Sequence, residues 1–115
     1  MEQREQRRDK RYEVSVTAEI FLPDRVVEAT TRNLSRSGVC FECESVLAEG
    51  STVAATLYLT VDGIEDASTA PLKVTTQVQW ISELDDTRGL VGALFLNLDP
   101  DAQKSLDRFL TALGD

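Results

Sequence analysis

Tyr12-Glu-Val-Ser-Val-Thr-Ala-Glu-Ile20 alternates apolar and polar residues, with Val14, Val16, Ala18 and Ile20 on one side and Glu13, Ser15, Thr17 and Glu19 on the other. A two-residue period belongs to an extended chain with one buried face. The same period returns along the sequence. Leu22-Pro-Asp-Arg25 reads as a turn with Pro at its second position, and Val26 to about Thr31 as the returning strand. Val39, Phe41 and Cys43 share one face of a third strand ending near Glu44. Val53 to Val61 is rich in β-formers, and Asp62 to Pro71 reads as a loop. Leu72, Val74, Thr76, Val78 and Trp80 are in phase in a strand over 72–81. Asp85-Asp86-Thr87-Arg88-Gly89 closes a hairpin into a last strand over 90–98.

The pattern then changes. Asp99 has the features of a helix N-cap, with Pro100 at the first helical position and Asp101 at the positive end of the helix. Ala102, Leu106, Phe109, Leu110 and Leu113 form one helical stripe, suited to packing on the strands, and Gly114 is the expected stop. About six strands without intervening helices predict an antiparallel sandwich or small barrel, capped by the helix. A chain of 115 residues, 42% hydrophobic and 28% charged, is enough for one ordinary domain core. No apolar run approaches a membrane span, and the polar first residues lack the apolar region of a signal peptide. A cytoplasmic location is the expectation.

Charge is unevenly spread. The chain carries 12 bases against 20 acids and no histidine. Five of the bases, Arg4, Arg7, Arg8, Lys10 and Arg11, lie in the first eleven residues. An acidic average disfavours nonspecific nucleic-acid binding. A local basic site still attracts an anion, because charges beyond about 8–10 Å are largely screened. The second polar concentration is Asn33-Leu-Ser35-Arg-Ser-Gly38, expected to interrupt the strands over residues 32–38. Asn33 and Ser35 suit a turn, and Gly38 is expected to supply a backbone conformation other residues resist. Arginine forks match phosphate and the O6/N7 edge of guanine, and their planes stack on bases.

Enzyme chemistry finds no support. Ser35 has no histidine to activate it and no nucleophile-elbow glycines, and no acid/base pair stands out among the carboxylates. Cys40-Phe-Glu-Cys43 spells C-x-x-C, but two cysteines without histidine make no structural zinc site. Three apart on a strand, they should face opposite sides, one buried and one outward. Trp80 and Phe95 are expected in the core rather than on a stacking platform. Asp85-Asp86 is expected to face solvent rather than a metal.

Arg-x-x-x-Arg at Arg7/Arg11, followed by Asn-x-Ser-x-x-Gly at Asn33/Ser35/Gly38, resembles the signature of PilZ domains, bacterial receptors for cyclic di-GMP. Val78-Gln-Trp80 and Gly89-Leu-Val-Gly-Ala-Leu-Phe95 are similar to later strands of that domain. The resemblance implies an all-β fold, a six-stranded antiparallel barrel with one C-terminal helix. It implies a flexible basic ligand-binding segment over 1–11 and a barrel over 12–115, with the helix at 99–113. Arg7 and Arg11 would clamp the guanines and phosphates of cyclic di-GMP, and Arg8 would add a contact or stacking surface. Asn33 and Ser35 would bond a guanine edge or phosphate, and Gly38 would shape the turn and allow close approach. No other cofactor or metal is implied. The output would pass to a partner protein. The rivals are a PilZ-like adaptor of motility or pilus machinery that binds no nucleotide, and, ranked lower, a single-stranded nucleic-acid-binding barrel.

Overall fold

The computed structural model describes residues 10–59 and 71–114. Among these, seven strands and a helix follow in order: β1 (Tyr12–Glu13), β2 (Thr17–Phe21), β3 (Val26–Leu34), β4 (Gly38–Glu44), β5 (Thr52–Leu57), β6 (Leu72–Glu83), β7 (Arg88–Leu96) and α1 (Pro100–Gly114). The pairing order is β3-β2-β5-β6-β7-β4, all antiparallel, and β4 closes back on β3. The protein is therefore mostly β, a closed six-stranded antiparallel barrel with a single C-terminal helix. Closure removes the free edges that an open sheet would expose.

Alternation fills the interior. Ala18 and Ile20 of β2, Val27 and Ala29 of β3, Phe41 and Cys43 of β4, and Leu72, Val74 and Val78 of β6 are all buried in one cluster. The helix closes that cluster. Leu106, Phe109 and Leu110 are buried in it, and Ala102 and Leu113 pack at its margin, which is the stripe read from the sequence. Asp99 caps the helix, its Oδ1 accepting from the Ala102 N–H at 2.7 Å. The last turn of chain before α1 uses Asn97 at φ 52, a left-handed position that Asn tolerates.

The expected first strand is split. β1 pairs with the far end of β3 (Tyr12↔Leu34), whereas β2 pairs with its start. Between them, Thr31 replaces the missing ladder. Its hydroxyl accepts from the Val16 N–H at 2.9 Å and donates to the Val14 carbonyl at 2.6 Å. Its own N–H donates to the Val16 carbonyl at 2.9 Å, and the residue is fully buried. Valine has the same shape without the hydroxyl. Thr31→Val should therefore cost about 1–3 kcal/mol, the penalty for stranding buried backbone groups. Chemical denaturation reads it, and an unchanged midpoint would show that the hydroxyl is dispensable.

Four expectations are corrected. The polar interruption over 32–38 is narrower, since β3 runs through Asn33 to Leu34 and leaves only residues 35–37 outside strands. The strand expected over 53–61 stops at Leu57, and positions 60–61 lie outside the described residues. Cys40 and Cys43 do face opposite sides, yet both are buried. Trp80 is not core: it is 41% exposed. Phe95, by contrast, packs against the core cluster.

Candidate functional site

Two β-bulges explain both Trp80 and Asn33. On β6 the register runs Val78↔Ala93 and then Trp80↔Gly92, so Gln79 is an extra residue. On β3 it runs Thr31↔Phe41 and then Asn33↔Cys40, so Arg32 is extra. Each insertion reverses which side faces the core, as a bulge must. On β6 the buried phase passes from Leu72, Val74, Thr76 and Val78 to half-buried Ile81. On β3 it passes from Val27, Ala29 and Thr31 to Leu34. Unbroken alternation would aim Trp80 and Asn33 inward; the bulges aim both outward.

They reach the same rung. Asn33 pairs with Cys40, Cys40 with Gly92 and Gly92 with Trp80, so one row crosses β3, β4, β7 and β6 on the outer surface. The Trp80 ring lies over Gly92, in the space that a Cβ there would need. Above this row is a groove of about 240 Å³ lined by Arg11, Asn33, Ser35, Gly38, Cys40 and Trp80, among others. Four of the six residues singled out from the sequence thus share one groove. The other two, Arg7 and Arg8, lie outside the described residues.

The turn from β3 to β4 forms the end of the groove. Ser35 is buried, and its Oγ accepts from the N–H groups of Ser37 (3.3 Å) and Gly38 (3.2 Å). Its N–H donates to the Gly38 carbonyl at 2.9 Å. In this structure the Ser35 hydroxyl therefore serves the turn itself. The reason for glycine at 38 is also corrected. Gly38 does not occupy the left-handed region, since Gly50 is the glycine with positive φ among the described residues. What excludes a side chain is the β7 backbone: a Cβ on Gly38 would sit 2.5 Å from the Ala93 carbonyl oxygen.

The turn and the root of the N-terminal arm are tied together. Arg36 Nε donates to Asp107 Oδ1 of α1 at 2.8 Å. Asp107 and, secondarily, the Tyr12 hydroxyl hold the Arg36 guanidinium more firmly charged than usual. Tyr12 is buried in the core cluster, with Lys10 Nζ 5.0 Å from its ring centroid. Arg11 directly precedes this anchored residue, so its backbone has a fixed position at the groove.

Electrostatics favour anions here. Arg11 stands on the groove, and Arg32 precedes Asn33. Burial pushes the Cys40 thiol up, while Arg32 and Arg11 pull it the other way. Cys40 is therefore a neutral floor residue rather than a thiolate nucleophile. Next to the row, Glu42 lies between Arg88 (Nε to Oε2, 2.9 Å) and Arg32 (Nε to Oε1, 3.9 Å). Among the described residues no group of three or more His, Cys, Asp or Glu is placed to hold a metal, and no helix is long and apolar enough to cross a membrane. Asp85 tightens the β6–β7 hairpin. It accepts from the N–H groups of Thr87 and Arg88, which hold its carboxyl below the usual range.

Barrel closure, a capping helix and an outer groove between Arg11 and the Ser35–Gly38 turn define a small β-barrel with one grooved face. The PilZ domain model matches residues 5–112, and the chain belongs to the PilZ domain family. Comparison with the curated proteins gives no match. Solved structures share the fold. The PilZ domain of YcgR from Escherichia coli, determined with c-di-GMP, is 21% identical with a TM-score of 0.74, covering 96% of this chain and 92% of that one. The Bacillus subtilis inhibitor of motility MotI (DgrA) is 13% identical with a TM-score of 0.74, covering 96% of this chain and 50% of that one. The K. pneumonia MrkH–c-di-GMP complex is 13% identical with a TM-score of 0.68, covering 93% of this chain and 52% of that one. The chain thus spans about half the length of MotI and MrkH.

Proposed function

We propose that this protein is a non-catalytic receptor for cyclic di-GMP, which it binds across the groove between Arg11 and Trp80. The observation that carries this reading is the convergence of Arg11, Asn33, Ser35 and Gly38 on one outer groove, within a PilZ domain. The chemistry fits a guanine dinucleotide. Arg11 offers a fork to a phosphate or to a guanine O6/N7 edge. Asn33 offers an amide donor and acceptor to a base edge. Trp80 offers an exposed ring face for stacking. YcgR and MrkH, which share the fold, were solved with c-di-GMP.

The groove is smaller than the roughly 300–1,000 Å³ usual for a small-molecule pocket. A dinucleotide therefore lies across it, and the arm covers the rest. Arg7, four residues before Arg11, and Arg8 supply that cover in our reading. Ordering of the tail before Lys10 on the ligand then creates a surface for a protein partner, at the cost of some affinity.

Calorimetric titration of the whole chain with cyclic di-GMP tests the reading, with GTP as the control. Binding at micromolar ligand, with GTP silent, is the expected result, and the heat curve gives the stoichiometry. No heat at high micromolar ligand would overturn it and leave the fold as a protein-interaction adaptor.

A further inference from the structure

We infer that Arg32 is an additional ligand-binding residue of the groove, and that Glu42 limits affinity by holding it back. This inference rests on the cyclic di-GMP reading of the same site. It begins from the bulge on β3. Arg32 is the extra residue between Thr31 and Asn33, so it stands on the outer surface immediately beside the row Asn33–Cys40–Gly92–Trp80. Its side chain is half exposed. Its charge and that of Arg11 both act on Cys40, so both guanidiniums lie near the groove floor, Arg11 lining the groove and Arg32 one residue outside its lining.

Glu42 lies two residues beyond Cys40 on the same face of β4, about 7 Å along the strand. It pairs unequally with two arginines. Arg88 makes a true hydrogen bond to Oε2 at 2.9 Å, and Glu42 is the leading cause of its firmer protonation. Arg32 makes only a distant ion pair with Oε1 at 3.9 Å, beyond hydrogen-bond range. The Arg88 partnership is thus sufficient to keep Glu42 paired when Arg32 leaves. Arg88 opens β7 opposite Glu44, well away from Gly92, so of the two partners of Glu42 it is Arg32, adjacent to the lining residue Asn33, that lies nearer the groove. A dianionic ligand seated over Cys40 offers Arg32 a better acceptor than a carboxylate already satisfied by Arg88. The Glu42 charge itself, within a Debye length of the floor, opposes that ligand.

The test is titration with cyclic di-GMP of the wild type, Arg32→Ala, Glu42→Gln and the double variant, each at low and at physiological salt. Thermal melts alongside report folding. Arg32→Ala should bind about three- to tenfold more weakly, the worth of one solvent-exposed charged contact, and lose part of the salt dependence. Glu42→Gln should bind more tightly than wild type, an outcome that a purely structural carboxylate would not give. In the Arg32→Ala background the gain from Glu42→Gln should shrink, because the released group is gone. A folded Arg32→Ala that binds as wild type overturns this inference alone. So does a Glu42→Gln that binds equally or more weakly. A wild type that takes no cyclic di-GMP overturns the receptor reading together with it.

Discussion

Arg11→Ala should weaken cyclic di-GMP binding by about 2–5 kcal/mol, the usual range for truncating one member of a hydrogen-bonded charge pair. Three features make Arg11 the most sensitive arginine of the described site. It lines the groove directly. It precedes Tyr12, whose ring is buried and whose backbone pairs with Leu34, so the clamp is not free to drift. It also precedes β1, which pairs with β3, so it lies on the β3 side of the row whose other end is Trp80 on β6. Fold should not suffer, because Arg11 is exposed and belongs to no strand. The discriminating measurement is a titration paired with a thermal melt. Weak binding with an unchanged melt is the expected pair, whereas wild-type affinity would remove the arm from the site. Arg11→Lys should recover only part of the loss, since an ammonium keeps the charge but not the planar fork.

Most of the barrel was legible in the sequence because its strands alternate, and a two-residue period has one physical meaning. The helix was legible for the same kind of reason, with Asp99, Pro100 and the Leu106/Phe109/Leu110 stripe each pointing to one boundary or face. Trp80 was not legible. Extending the phase of Leu72, Val74, Thr76 and Val78 places it in the core, and only the unpaired Gln79 turns it out. A bulge is a property of the pairing between two strands, so one strand read alone does not reveal it. Gly92 was the available signal: a residue without a side chain, in a β-rich run, marks a close approach, and the approaching group is the Trp80 ring. Asn33 shows the complementary case. Its candidacy was read from the motif while its place in β3 was missed, because Arg32, Asn33 and Ser35 are polar enough to pass for a loop. Both bulges flank the β4–β7 pair that floors the groove, so the departures from regular alternation coincide with the site.

Gly38→Ala should be among the most damaging single-methyl changes in the described barrel, at about 3 kcal/mol, near the upper end of typical overpacking costs. The added carbon would meet the Ala93 carbonyl oxygen at 2.5 Å, with the Ala93 carbonyl carbon and Leu94 Cα at 3.5 Å. All three are backbone atoms, so no rotamer change relieves the clash. Either β4 or β7 must move. Their ladder begins at this point, with Gly38 opposite Leu94 and the Phe95 N–H donating to the Ser37 carbonyl at 2.9 Å. Displacement there also disturbs the Ser35 turn, whose hydroxyl accepts the Gly38 N–H. The melting point should fall by about 10–15 °C for a domain of this size, and ligand affinity should fall with it. Gly89→Ala is the matched control on the same strand pair. Gly89 faces Cys43, and its nearest neighbours to an added Cβ lie at 3.4 Å or beyond, ordinary contact distances. If both alanines melt together with wild type, close approach is not what requires glycine at 38. If Gly38→Ala alone collapses, the glycine of the Ser-x-x-Gly turn is there for the barrel's closure, and the groove inherits its shape from that constraint.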